Sequence, residues 1–247
     1  MVLVIIVASA LVLANIQNEP SETPLACAYL ASNYNASVGL ISETPSHTRY
    51  FLYSDNFLAM LVLPTDCNNA GLAQSISRTL SQYNFTNYQN QFMAFNCKQY
   101  FQGSKDYDIN GSIWSTVNNQ TGSPLNSSYA DVAFLESYFN AECPHNMGLA
   151  LSFFKMGANT YDGTGLNDLA YRHGTSQGVY QTYKLALYVY TARLLGQKVP
   201  PSAVANLMRM QAPIGGFYTG YTSNYSNNGT DTNTETTSLA ILALGKK

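Results

Sequence analysis

Charge is what this sequence has least of. Of 247 residues only 12 are Lys or Arg and 14 are Asp or Glu, so charged residues are 11% of the chain, against about 25% in an ordinary soluble domain. A net charge of −2 supplies no field for a phosphate backbone, which excludes nucleic acid as a partner. Only three histidines occur, and neither a His-x-x-x-His nor a Cys-x-x-Cys pair is present. Transition-metal chemistry is therefore not expected, and no metal site or cofactor is assigned. Gly163-Thr-Gly165 is too short for a phosphate loop and has no Lys beside it. After the N-terminus no run is apolar enough to span a bilayer.

What fills the polar surface instead is amide and hydroxyl. The chain holds 24 Asn, 12 Gln, 23 Ser and 20 Thr, about a third of all residues. Such groups do not titrate in acid, so stability is expected to change little at low pH. That suggests an acid-stable protein of an acid-living microbe; collapse below pH 4 would remove the idea. A hydrophobic fraction of 46%, with 13% aromatics, argues against disorder.

Three features point to export. Met1–Ala14 reads MVLVIIVASALVLA, short for a span and ending like a signal-peptidase site. No Lys or Arg precedes Arg49, so the usual basic start is missing, and a late start codon or an uncleaved anchor is the alternative to a signal peptide. Membrane contact is expected only through this segment, if it is retained. Residues 15–247 are read as one domain. Seven sequons, at Asn35, Asn84, Asn110, Asn119, Asn126, Asn224 and Asn228, predict N-glycosylation. They are a mild excess over what 24 Asn and 43 Ser and Thr generate at random. Cys27, Cys67, Cys97 and Cys143 are even in number and widely spaced, which fits two disulfides in a secreted or cell-surface protein. Three pairings are possible; closing the shorter loops favours Cys27–Cys67 and Cys97–Cys143.

Apolar spacing predicts helices over 24–34, 54–63, 70–83, 127–143, 146–156, 180–195, 201–210 and 236–244. Ser128 is the expected N-cap of the fourth, and Gly196 the expected stop of the sixth. Residues 88–100 are ambiguous, and 102–126 read as a surface loop with room for a short hairpin. Within it, Asp106-Tyr-Asp108-Ile-Asn110-Gly111 has the alternation of a Ca²⁺ loop. Val117 stands where that loop needs Glu, so an Asx-rich turn is the better reading.

An internal repeat organises these helices. A Gly-and-aromatic loop leads into a strongly apolar helix three times, at 38–63, ahead of 184–190, and at 214–244. Leu58-Ala59, Leu185-Ala186 and Leu239-Ala240 align. A helix apolar nearly all round must be surrounded by protein, so amphipathic helices form an outer layer. The expected fold is all-α, an α/α toroid or an arc of one, with long rim loops. Gln211-Ala-Pro-Ile-Gly-Gly-Phe217, followed by Glu235-Thr-Thr-Ser-Leu-Ala, resembles the hairpin of α/α-toroid proteins. These include terpene cyclases, protein prenyltransferase subunits and many polysaccharide-processing enzymes. The match spans about 35 residues, and Phe217 stands where the cyclases have Trp. The cyclases' Asp-x-Asp-Asp is missing, which speaks against terpene cyclisation. The whole chain also resembles uncharacterised secreted archaeal proteins. Such toroids usually have twelve helices, so this one would be incomplete, and completion by a second copy is a possible homo-oligomer.

In a toroid the inner helices all start at one rim, where unsatisfied N–H groups and positive dipole ends gather. Loops 36–54, 157–180 and 212–235 feed that rim. The candidate site follows from their contents. Asp55 and Glu235 are a candidate acid and base for a glycosidic bond. His173, Tyr171 and Arg172 are the alternative set, for a lyase or epimerase that neutralises a uronate and moves its α-proton. Glu43, His47, Arg49, Tyr53, Tyr161, Asp162, Tyr218 and Tyr221 are candidate contacts to a polysaccharide or glycan. The bland alternatives are first-turn acids that serve only the helix dipole and tyrosines that only pack loops. On this reading the chain is an exported protein acting on carbohydrate; the alternative is a sugar-binding protein without catalysis.

Overall fold

The computed structural model describes residues 23–83, 90–101, 106–117, 125–174, 176–227 and 229–245. Met1–Ala14 and the sequons at Asn84, Asn119 and Asn228 lie outside them. No described helix is long and apolar enough to cross a membrane.

In order along the chain come α1 (Thr23–Ser32), β1 (Tyr34–Asn35), β2 (Leu40–Ile41), β3 (Phe51–Leu52), α2 (Tyr53–Val62) and α3 (Ala70–Gln82). A 3-10 helix over Gln91–Asn96 resolves the ambiguous segment, and β4 (Asp106–Asn110) and β5 (Ile113–Val117) follow it. Then come α4 (Ala130–Glu142), α5 (Met147–Ala158), α6 (Leu169–His173), β6 (Tyr180–Gln181), α7 (Thr182–Leu194) and α8 (Pro201–Arg209). The chain closes with β7 (Phe217–Tyr218), β8 (Gly220–Tyr221), β9 (Thr232–Asn233) and α9 (Thr234–Leu244).

The fold is mostly helical, with small sheets that an all-α reading leaves out. β4 and β5 form an antiparallel hairpin, and β5 runs parallel to β3. Asp106–Asn110 is thus a strand, neither a Ca²⁺ loop nor an Asx turn; the bend falls at Gly111, whose φ is +63°. The remaining pairs are β1–β2, β6–β8 and β7–β9, all antiparallel. β3, β6 and β9 each run directly into a helix, α2, α7 and α9. The sequence repeat is therefore a two-residue strand followed by a buried helix.

Burial separates two kinds of helix. α7 buries Thr182 and every residue from Lys184 to Ala192, and α9 buries Thr234, Ala243 and everything from Thr236 to Ile241. α2 and α4 are similarly enclosed. α3 buries only the stripe Ala73, Ile76 and Leu80, and α8 only Ala203, Asn206 and Leu207. The buried helices pack in the order α2, α9, α7, α4, so that α9, the last along the chain, lies against α2, the first. Of the less buried helices, the amphipathic α3 and α8 cover α2 and α7, while α1 covers α9 and α5 packs on α4. No extensive contact joins α2 to α4; the hairpin strand β5 lies on α2 and the 3-10 helix on α4.

Local chemistry explains most boundaries. Asn69 Oδ1 accepts from Leu72 N at 3.2 Å and starts α3. Pro201 opens α8, where its missing N–H is not needed. Gly196 follows α7 with φ +62° and ends it. Gly215 has φ +96°, and a Cβ on Gly216 would lie 2.4 Å from the Tyr29 ring. The Gly-Gly pair before Phe217 is therefore set by handedness at one residue and by packing on α1 at the next. Ser128 is not the cap of α4. Its first N–H, on Ala130, donates to Asp168 Oδ2 at 2.8 Å, a cap supplied from 38 residues away. The disulfides are Cys27–Cys67 and Cys97–Cys143, each with Cα atoms 5.4 Å apart. They tie α1 to the turn after α2, and the 3-10 helix to the end of α4. Two disulfides fit an oxidising, extracellular setting.

Candidate functional site

The first turns of α2, α9, α7 and α4 carry Asp55, Glu235, Lys184 and Asp131. These groups are electrostatic neighbours. Glu235 raises the pKa of Asp55 and that of Tyr183, and the Tyr183 hydroxyl donates to Asp131 Oδ2 at 3.1 Å. Lys184 Nζ reaches Asp131 Oδ1 at 3.4 Å. All four buried helices thus begin at one end, and their positive dipole ends converge there.

Two chemistries meet at this end. Around α2 and α9 the groups are acidic. Asp55 is wholly buried and its Oδ2 has no hydrogen-bond partner. Burial is the main reason its pKa stands well above the usual carboxylate range, with Glu235 and Glu43 adding to the rise. The Ser54 hydroxyl, donating to Asp55 Oδ1 at 3.2 Å, opposes it weakly. Around α7 and α4 the acids are compensated. Lys184 Nζ, 3% exposed, donates to Asp168 Oδ2 at 2.6 Å and lies 5.5 Å from the centroid of the Tyr129 ring. Asp168 also accepts from Ala130 N and, through Oδ1, from Tyr171 N at 3.2 Å, which starts α6.

Between these clusters lies an open cavity of about 340 Å³. Gln181 and Tyr183 line it from the start of α7, and Asn233, Glu235 and Thr236 from the start of α9. Thr219 and Thr230 close its side. Burial, with Asp131 and Glu235 beside it, pushes the Tyr183 phenol up, so it is a hydrogen-bond donor at any ordinary pH. The wall is one carboxylate and one phenol among amides and hydroxyls. Among the described residues no cluster of His, Cys, Asp or Glu could hold a metal ion.

The candidates from the sequence fall into three places. Glu43, Asp55 and Glu235 come together; the Glu43 carbonyl also accepts from Thr234 N at 2.9 Å. Tyr53 is half-buried at the start of α2, and burial raises its pKa. Of this group only Glu235 lines the cavity; Asp55 does not. A second set knits loops to α8. The Asp162 carboxylate accepts from Thr164 N, Gly165 N and the Tyr180 hydroxyl, the last at 2.7 Å. Desolvation would raise its pKa, but Tyr180 and the two amides overcome that and lower it. The Tyr161 hydroxyl donates to Gly163 O and is hydrogen-bonded to the Ser202 hydroxyl on α8, each at 2.9 Å. Tyr221 is fully buried and donates to Thr164 O at 2.9 Å, so it offers no face to a ligand. Tyr171 stacks on Tyr180 with centroids 4.3 Å apart, and Arg172 Nε donates to Asn167 O. His173 and Arg172 are exposed on α6 and do not line the cavity. A third set, His47 and Arg49, sits on the exposed turn before β3, and Tyr218 is half-buried in β7.

Lys184, Asp131, Asp168 and Tyr183 are functional-end residues that the candidate set missed. One signal was present: a lysine inside an otherwise apolar helix, in a chain with 12 basic residues. Of the described sequons, Asn126 and Asn224 are exposed and Asn35 is half-buried, its Oδ1 accepting from Ser37 N. Asn110 is the last residue of β4. Compared with protein-family models, curated proteins and solved structures, the chain matches none.

Proposed function

We propose that this is an exported, N-glycosylated protein of α/α-toroid type that binds a glycan at the shared start of its buried helices. Four features support the toroid: parallel buried helices, a covering layer of amphipathic helices, alternation of the two kinds along the chain, and contact between the last buried helix and the first. The observation that carries the function is the cavity at Glu235. Its amides and hydroxyls are the donor and acceptor types that pair with a polyhydroxylated ligand, and the Glu235 carboxylate would accept from sugar hydroxyls. A single carboxylate in the wall favours binding over hydrolysis, which needs two carboxyl groups flanking the bond.

The experiment is calorimetry of the purified chain against neutral and uronic oligosaccharides, with Glu235→Gln as the control. Saturable heat lost in that variant is the expected result; no heat from any glycan would overturn the reading. One observation favours a glycosidase instead. Burial favours the protonated form of Asp55 beside Glu235, the kind of environmental difference that separates an acid from a base. New reducing ends that disappear in both Asp55→Asn and Glu235→Gln would establish that version; unsaturated products dependent on Tyr171 and Arg172 would establish the lyase version. Self-association is the remaining part of the proposal. α5 exposes Met147, Leu149 and Met156, and size-exclusion chromatography reads it out; a clean monomer would remove it.

A further inference from the structure

Trp114 is the one tryptophan of the chain, and it stands outside the buried core. It lies on β5, at the register position of Leu52 on β3, and is half-buried. Tyr50, the residue before β3, is 46% exposed. Their ring centroids are 5.9 Å apart and their planes differ by 31°. His47 stands edge-on against Tyr50, at 6.1 Å and 88°. The turn that carries them is fixed: His47 Nδ1 and N both lie 3.1 Å from Thr44 Oγ1, and Tyr50 N donates to His47 O at 3.1 Å. Large aromatic rings held off the core by a rigid turn are not explained by packing.

We propose that Tyr50 and Trp114 form a stacking platform for a pyranose ring of a glycan chain, a subsite additional to the cavity at Glu235. The C–H face of a pyranose is apolar and carries partial positive charge, which complements the negative face of an aromatic ring. Fixed rings lose little freedom on binding. One contact links the platform's turn to the segment that borders the cavity: the Ser46 hydroxyl donates to Asp231 Oδ2 at 2.7 Å. That joins the platform's turn to the 219–233 loop, whose Thr219 and Thr230 line the cavity. The inference rests on the glycan reading and names a second place where the same chain makes contact.

The lone tryptophan makes the test direct. Cellohexaose, mannohexaose and chitohexaose are titrated into the full chain, following Trp114 emission and, separately, heat. A saturable change in emission is expected for the hexasaccharide that gives heat. Tyr50→Ala weakens its binding about 3- to 10-fold, the loss of one aromatic contact, whereas Tyr50→Phe, which keeps the ring, leaves it unchanged. Heat that Glu235→Gln abolishes, with Trp114 emission unmoved throughout, overturns the platform and leaves the cavity reading standing. An emission change that depends on Tyr50 but not on Glu235 supports the platform and overturns the cavity. Neither signal with any of the three overturns both.

Discussion

Asp55 and Asp168 are both 0–1% exposed at the same end of the molecule, yet the fold treats them in opposite ways. Asp168 is given a lysine at 2.6 Å and two backbone N–H groups. Asp55 is given a serine hydroxyl and two further acids. A buried carboxylate must be paired or lose its charge, because leaving it ionised and alone costs several kcal/mol. The α4–α7 side takes the first route and the α2–α9 side the second. The comparison shows that neighbouring helix starts accumulate acids through their dipoles, and that each acid's protonation is then set by its neighbour.

The largest effect should come from breaking the paired side. Lys184→Met strands Asp131 and Asp168 without their cation and should cost about 3–5 kcal/mol, read by chemical denaturation at pH 7. Tyr183→Phe removes one hydrogen bond to the Asp131 carboxylate and should cost about 1.5 kcal/mol in the same assay.

The Asp55 side responds through pH. The folded chain holds the Asp55 proton to higher pH than the unfolded chain, whose carboxyl titrates near 3.8. The stabilisation is therefore fully present below that value and is lost as pH rises toward the folded pKa. Where one proton separates the two states the slope is about 1.4 kcal/mol per pH unit. Asp55→Asn should flatten this fall, matching the parent in acid and gaining on it as pH rises past 4. An unchanged profile would mean that Asp55 is not the buried acid. Glu235→Gln removes a charge that raises the Asp55 pKa and should lessen the same fall more weakly, by less than about 1 kcal/mol at pH 7. Asp162 runs the other way. Its pKa is lowered, so its contribution is present above 3.8 and lost as pH falls below it. Melting curves between pH 2 and 7 weigh these two opposed groups against the flat profile expected from the composition.

Helix positions were legible because helical period and stop signals are local. Leu72, Ile76 and Leu80 announce α3, and Gly196 ends α7, wherever those helices pack. Asp55 and Glu235 were legible as a pair through the repeat, since equivalent loops precede equivalent helices. The complete burial of Asp55 was not, nor was that of Tyr221, which its sequence environment makes as plausible on a cleft wall as in a loop core. The start of α4 was misread at Ser128 because the cap comes from Asp168. Trp114 carried no local signal, since half-exposure depends on which strand lies beside it.

By itself the sequence determined the order of apolar and amphipathic helices, the export chemistry of four cysteines and the scarcity of charge. These follow from side-chain type and from spacings within a few turns. Only the tertiary structure decided which helix starts are neighbours, and with that which acids are paired and which hold a proton. Coulombic and desolvation energies depend on distance through space, and the charged neighbours of Asp55 and Asp168 stand from 12 to 180 residues away along the chain.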